Sequence, residues 1–437
     1  MKRLLMEDLL KWKNKIRRKP LIIRGARQVG KTWIMKEFGR LYYKNIVYIN
    51  FDNNERMKQV FSIDMDIKRI ISALKIEAGK NIDPKDTLLI FDEIQEVPQA
   101  LSSLKYFYEN APEYHIIAAG SLLGVALHAG TSFPVGKVDF LNLYPLNFKE
   151  FLWAVDKNSL AELLETGDYT TINAFSSKYI DLLKHYYYVG GMPEAVQTYL
   201  ETDDMFEVRN VQKALLDYYS NDFSKHAPKE IVPRIQMVWQ SIPMQLAKEN
   251  RKFIYGIIRE GARAKDFELA IQWLIDCGLI LKSTRVAKPG MPLIAYMEMS
   301  AFKIYMHDVG LLAAKGNLDA RTLLEGNRIF EEFKGALTEQ FVAQQLIASK
   351  NELYYYSKEN SSGELDFVLQ QEQYIIPIEV KAEENLQAKS LRAYCDKYKP
   401  EIAIRSSMSN YREQDWMTNV PLYALDSYLK HIGTKKN

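Results

Sequence analysis

Apolar and polar positions along this chain follow two rhythms. In the first third, short continuous apolar runs stand at residues 21–23, 46–51, 88–91, 116–119 and 138–143, separated by stretches with helical spacing. Continuous runs suit strands buried on both faces, and their alternation with helices predicts a parallel α/β sheet. Leu143-Tyr144-Pro145-Leu146 closes that pattern. Helical spacing then dominates to about Leu200, broken by Gly190-Gly191-Met192-Pro193. Beyond the acidic Glu201-Thr202-Asp203-Asp204, helices are expected at 211–220, 231–246 and 266–276. They lead into strand-like runs at 279–286 and 293–299, joined by Lys288-Pro289-Gly290-Met291-Pro292. Helices followed by a hairpin suggest a winged-helix-like module. The last part opens on a helix over 331–348, with Phe333, Leu337, Phe341, Val342 and Leu346 at helical spacing. Strands at 352–356, 365–369 and 374–380, a helix near 390–398 and a strand at 402–404 follow.

The first apolar run enters a segment with chemistry of its own: Arg24-Gly25-Ala26-Arg27-Gln28-Val29-Gly30-Lys31-Thr32-Trp33. This is a complete G-x-x-x-x-G-K-[ST] pattern between a strand and a helix-forming stretch. Gly25 and Gly30 let the backbone wrap close to a polyphosphate, with successive N–H groups aimed at the anion. Lys31 places a cation on the β- and γ-phosphates, and the Thr32 hydroxyl is a ligand for Mg²⁺. Residues 25–33 are therefore expected to bind ATP. The run 87–91 ends in Asp92-Glu93. At that strand end Asp92 would hold Mg²⁺, and Glu93 would polarise an attacking water, which favours hydrolysis. Ser121, after the apolar run 115–119, is a further candidate for the γ-phosphate or the water; Gly120-Ser121 also reads as turn chemistry.

Composition narrows the class without choosing a partner. A chain of 437 residues, 47% hydrophobic and 26% charged, has room for several packed domains. Two cysteines, Cys277 and Cys395, offer neither a disulfide framework nor a Cys-rich zinc site. The basic N-terminus lacks the apolar centre of a signal peptide, and the longest apolar stretch, 116–127, is too short to span a bilayer. A cytoplasmic protein with no membrane partner is expected. A net charge of +3 implies no partner by itself. Locally, Lys248, Arg251, Lys252, Arg259, Arg263 and Lys265 stand against Glu249 and Glu260. That segment reads as a nucleic-acid phosphate-contacting face or equally as a protein–protein surface.

A second candidate site lies in the last part. Asp366, in Glu364-Leu365-Asp366-Phe367-Val368, precedes Ile378-Glu379-Val380-Lys381 by twelve residues. Carboxylates on neighbouring strand ends can share Mg²⁺, and Lys381, two residues past Glu379, falls on the same strand face. There it would stabilise a developing phosphorane charge. Glu339 on the preceding helix would complete the acidic group. This is the order of residues in nucleases with a D…E-x-K core; a charged strand edge or an inactive nuclease fold would carry the same residues.

With these motifs in place, the chain resembles prokaryotic AAA-type ATPases whose N-terminal P-loop domain is joined to a C-terminal region of unknown function with a restriction-endonuclease-like end. The resemblance rests on residues 24–32, Phe91-Asp92-Glu93-Ile94-Gln95, Ala119-Gly120-Ser121, Leu143-Tyr144-Pro145-Leu146-Asn147-Phe148, Gly190-Gly191-Met192-Pro193-Glu194, Tyr305-Met306-His307-Asp308-Val309-Gly310-Leu311 and Ile378-Glu379-Val380-Lys381-Ala382. It implies a multidomain α/β chain: an AAA-type P-loop domain at 1–147, a helical lid at 148–205, a winged-helix-like domain at 206–320 and a restriction-endonuclease-like domain at 321–437. Two functions follow. One is an ATPase using ATP and Mg²⁺ that couples hydrolysis to nucleic-acid binding or cleavage. The other is an ATP-driven switch that binds a protein or nucleic-acid partner, or further copies of itself, through an inactive nuclease fold.

Overall fold

A computed structural model describes residues 1–120, 134–248, 251–325, 331–358, 363–382 and 388–432. Ser121 lies outside the described residues. The chain divides into two compact units, one of Lys2–Tyr144 with Asp276–Gly278, the other of Met1, Pro145–Ile275 and Leu279–Asn437.

The first unit is built on strands β1 (Leu21–Arg24), β2 (Asn45–Asn50), β3 (Thr87–Asp92), β4 (His115–Ala119) and β5 (Asp139–Asn142). They form one sheet in the order β2-β3-β4-β1-β5, every pair parallel. β3 is buried along its whole length, the physical meaning of its unbroken apolar run. On one face Phe51, Phe61 and Phe91 meet edge to face at 5.5–6.1 Å, each pair contributing about 0.5–1.5 kcal/mol beyond its buried area. The helix Ile67–Ala78 packs its apolar face there, started by the Asp66 carboxylate on the Lys68 N–H and stopped by left-handed Gly79. From β1 the chain runs to the far edge at β2, returns through β3 and β4, and crosses to β5. The strand order reverses at β1, so the carboxyl ends of β1, β4 and β3 open onto the crevice where such sheets bind ligands.

The second unit begins with the helices Phe148–Ala154, Asn158–Thr166, Tyr169–Ala174, Ser176–Val189 and Pro193–Thr202. Met205–His226, Val232–Leu246, Tyr255–Ile258 and Ala264–Asp276 follow. Its strands are β6 (Ile280–Val286), β7 (Met297–Met306), β8 (Tyr354–Ser357), β9 (Glu364–Gln371), β10 (Tyr374–Val380), β11 (Ile404–Ser407), β12 (Arg412–Gln414) and β13 (Met417–Pro421). The expected strand at 293–299 is corrected: Leu293–Tyr296 is a 3₁₀ turn, and β7 runs on through Tyr305. The hairpin β6–β7 is no free wing. β6 pairs in parallel with β8, so all eight strands form a single mixed sheet, β12-β13-β11-β10-β9-β8-β6-β7. That sheet runs across the domain border expected near residue 320.

Three of the motifs that carry the family resemblance meet in a buried polar knot in this unit. The Asp308 carboxylate accepts the N–H groups of Gly191 (2.6 Å) and Leu311 (2.9 Å), and so caps the helix Val309–Lys315. The Gly191 carbonyl takes the Leu146 N–H at 2.7 Å, and Gln344 reaches both Tyr186 and Asp308. A Cβ on Gly191 would stand 2.0 Å from the Leu146 carbonyl oxygen, and one on Gly190 2.2 Å from Asp308 Oδ1. Burial pushes the Asp308 carboxyl up to about 6 against those N–H donors. The Gly-Gly pair and the Asp308 motif thus serve packing.

Candidate nucleotide site and a second charged cluster

Between β1 and the helix Lys31–Tyr42 the backbone makes the turns that the glycines allow. Gly25 has φ 152°, Gln28 63° and Gly30 95°. A Cβ on Gly25 would lie 2.2 Å from the Leu143 carbonyl oxygen, so no other residue fits there. Gly30 caps the helix without a side-chain hydrogen bond, leaving first-turn N–H groups directed at an anion. Ala26 and Val29 are buried, Arg27 and Gln28 edge the loop, and Trp33 on the first helical turn is 43% exposed. Lys31 donates to the carbonyls of Gly25 (2.9 Å) and Ala26 (2.7 Å). Burial lowers its pKa to about 8, opposed chiefly by Glu93 and then Asp92.

The acidic strand end meets this loop. Thr32 Oγ1 donates to Asp92 Oδ2 at 2.6 Å, so the two groups expected on Mg²⁺ stand side by side. The oxygen donors, hydroxyl and carboxylate, suit a hard cation, and the Gly25 cradle admits a phosphate; the residues fit Mg²⁺–nucleotide. Glu93 follows in left-handed backbone (φ 49°), and its Oε2 accepts Gln95 Nε2 at 2.6 Å. Two contributors escaped the sequence reading. Tyr48 on β2 donates to Asp92 Oδ2 at 3.0 Å, and burial, then Asp92, raises its phenol pKa. Buried Arg3 donates to the Val29 carbonyl at 3.1 Å and the Tyr144 carbonyl at 2.5 Å, tying the phosphate loop to the end of this unit. Tyr48 had a signal, a polar tip on the strand next to β3; Arg3 had none.

The second unit brings Glu339, Asp366 and Glu364 together, but with cations of its own. Arg251 Nη1 hydrogen-bonds Glu339 and lies 3.9 Å from Asp366 Oδ1. Lys303, fully buried on β7, pairs with Glu339 at 3.0 Å and Glu364 at 2.6 Å, and the Tyr305 hydroxyl also donates to Glu339. Burial works against ionisation of Glu339, yet Arg251 and then Lys303 outweigh it and hold its carboxyl below the usual carboxylate range. Burial, and next the Glu339 carboxylate, push the Asp366 carboxyl up. Glu379 pairs instead with Lys381 at 2.8 Å and accepts the Leu391 N–H at 3.3 Å; Asp366 Oδ2 accepts the Val380 N–H at 2.7 Å.

Glu339, expected to support a metal from its helix, is paired with Arg251 and Lys303. Arg251 belongs to this buried cluster, and only Lys248, Lys252, Arg259, Arg263 and Lys265 remain on the exposed basic segment. Among the described residues, no group of three or more His, Cys, Asp or Glu is arranged to hold a metal ion. The cluster as it stands does not fit a divalent cation.

The chain matches known families in three stretches. Residues 17–152 match the family model of the AAA domain, residues 180–322 that of the domain of unknown function DUF8612, and residues 334–425 that of the domain of unknown function DUF4143. The N-terminal part is a P-loop nucleotide-binding domain of the AAA type. Comparison with curated proteins gives no match. Among solved structures the chain is similar to a Walker-type ATPase of Pyrococcus abyssi, with 15% identity over 71% of this chain and 95% of that one and a TM-score of 0.47. It is also similar to the ORC1 protein of Aeropyrum pernix in complex with DNA (13%, 72% and 90%, TM-score 0.27) and to AMPPCP-bound DnaA of Aquifex aeolicus (14%, 62% and 86%, TM-score 0.28). No helix among the described residues is long and apolar enough to cross a membrane.

Proposed function

We propose that the chain is an ATP hydrolase whose C-terminal part binds a nucleic-acid or protein partner without cutting it. The observation that carries the first half is the convergence of Lys31, Thr32, Asp92 and Glu93, with Thr32 and Asp92 2.6 Å apart. Thr32 and Asp92 would hold Mg²⁺, which supplies charge neutralisation on the phosphates. The first-turn N–H groups and Lys31 bind the phosphate oxygens, and Lys31 faces the charge that grows in the transition state. Glu93, oriented by Gln95, accepts a proton from the attacking water. Gln95 holds that carboxylate by donating to its Oε2 at 2.6 Å.

For the C-terminal part, the helix Glu331–Ala348, the antiparallel β8–β9–β10, the helix Lys389–Tyr398 and β11 parallel to β10 support a restriction-endonuclease-like core. Glu339 and Asp366 in that core are neutralised internally, which favours the switch over the nuclease. The exposed Lys252, Arg259, Arg263 and Lys265 support a nucleic acid as partner. The test is ATP turnover with and without single-stranded DNA, double-stranded DNA and RNA, beside a nuclease gel. Mg²⁺-dependent turnover without cutting is expected. Absence of turnover under every condition refutes the hydrolase, and cutting that Glu379→Ala abolishes refutes the non-cutting half.

A further inference from the structure

We propose, resting on the non-cutting reading above, that Arg251 is an internal counter-cation that keeps divalent metal out of the Glu339–Asp366 cluster, and that withdrawing its guanidinium opens a cation site there. Two cations are already in place: half-buried Arg251 on Glu339 and near Asp366, and fully buried Lys303 on Glu339 and Glu364. A further divalent cation would leave an excess of positive charge in a buried place, at a high desolvation cost.

The two cations differ in how they are held. Lys303 is part of β7 and is fixed by the sheet. Arg251 lies outside regular structure, between the helices Val232–Leu246 and Tyr255–Ile258, with a left-handed backbone at φ 46°. The helix that carries Glu339 is shaped to admit it. Gly335 stands one turn before Glu339, and a Cβ there would lie 2.9 Å from Arg251 Nη2. Glycine inside a helix costs about 1 kcal/mol relative to alanine, so its presence calls for a packing reason, and the guanidinium is one. With Arg251 gone, Lys303 stays on Glu339 and Glu364, and the Glu339 Oε2 and Asp366 Oδ1 that faced the guanidinium turn to a hard divalent ion, whose charge favours the ionised form of Asp366.

The experiment titrates Mn²⁺ into nucleotide-free full-length protein, by calorimetry and electron paramagnetic resonance. It compares wild type, Glu339→Gln, Arg251→Ala, Gly335→Ala and Arg251→Ala/Glu339→Gln. Wild type should show no Glu339-dependent Mn²⁺, and Arg251→Ala and Gly335→Ala should each gain one Mn²⁺ per chain, at least about tenfold tighter than the detection limit of the titration. The double variant should lose it. Gly335→Ala displaces only the flexible end of Arg251, so it answers the question even if Arg251→Ala fails to fold. Wild type binding a Mn²⁺ that Glu339→Gln removes overturns the proposal, as does the absence of any gain in a folded Arg251→Ala or Gly335→Ala. Cutting is read separately on a gel. Cutting by wild type sinks the non-cutting reading, whereas a wild type that neither binds nor cuts, with variants that gain nothing, sinks only the role of Arg251.

Discussion

Burial of Lys31 makes nucleotide binding take up protons. Burial lowers its pKa from 10.5 to about 8, with Glu93 and Asp92 opposing the shift. At pH 8 about half of the unliganded molecules then carry a neutral Lys31, and at pH 7 about one in ten. Phosphate oxygens against the amine favour its charged form. Binding therefore takes up about 0.5 proton at pH 8 and about 0.1 at pH 7, and affinity falls about tenfold between pH 7 and pH 9. Without ligand the sign is the reverse of a stabilising ion pair: the charged form is penalised below about pH 8, and the fold gains stability as pH rises from there toward 10.5. Calorimetry in two buffers of contrasting ionisation enthalpy measures the uptake. Subtracting Lys31→Arg, whose guanidinium stays charged, removes protons contributed by the nucleotide itself. No uptake at pH 8, or the same uptake in Lys31→Arg, refutes a Lys31 held near neutrality.

Gly25→Ala should abolish nucleotide binding in a chain that remains folded, measured by fluorescent-nucleotide titration, because its Cβ would meet the Leu143 carbonyl 2.2 Å away. Gly191→Ala should cost about 2–4 kcal/mol of stability in denaturant unfolding, since the Leu146 carbonyl 2.0 Å from the new Cβ cannot yield without breaking the knot at Asp308. Reversing Lys252 and Arg263 to Glu should weaken nucleic-acid binding and flatten its log–log salt slope by about 2, read by fluorescence anisotropy; an unchanged slope points to a protein partner for that face.

The sequence carried what local pattern encodes. The run 87–92 is apolar because β3 is buried on both faces, and its Asp92 ends beside Thr32 because a parallel sheet aligns the carboxyl ends of its strands. Pairings between distant segments leave no period to read. Arg251 and Glu339 are 88 residues apart, and Tyr48 and Asp92 are 44 apart. In a window dominated by charge, Arg251 looks like its solvated neighbours, and its left-handed backbone (φ 46°) is not legible there. The one cue was Gly335, a helix-weakening residue at the place where a guanidinium needs room. The single sheet on both sides of residue 320 was not legible because β6 pairs with β8 across about seventy residues of intervening chain, a parallel pairing that no hairpin signal announces.

The most direct test of the central claim compares Glu93→Gln with wild type in ATP binding and turnover under identical Mg²⁺. On the proposed reading Glu93 accepts the proton of the attacking water, and Gln95 keeps a partner when an amide replaces the carboxylate. The account predicts unchanged ATP affinity, turnover lower by about 10²–10⁴-fold, and ATP retained on the protein. Turnover by Glu93→Gln at the wild-type rate would contradict it.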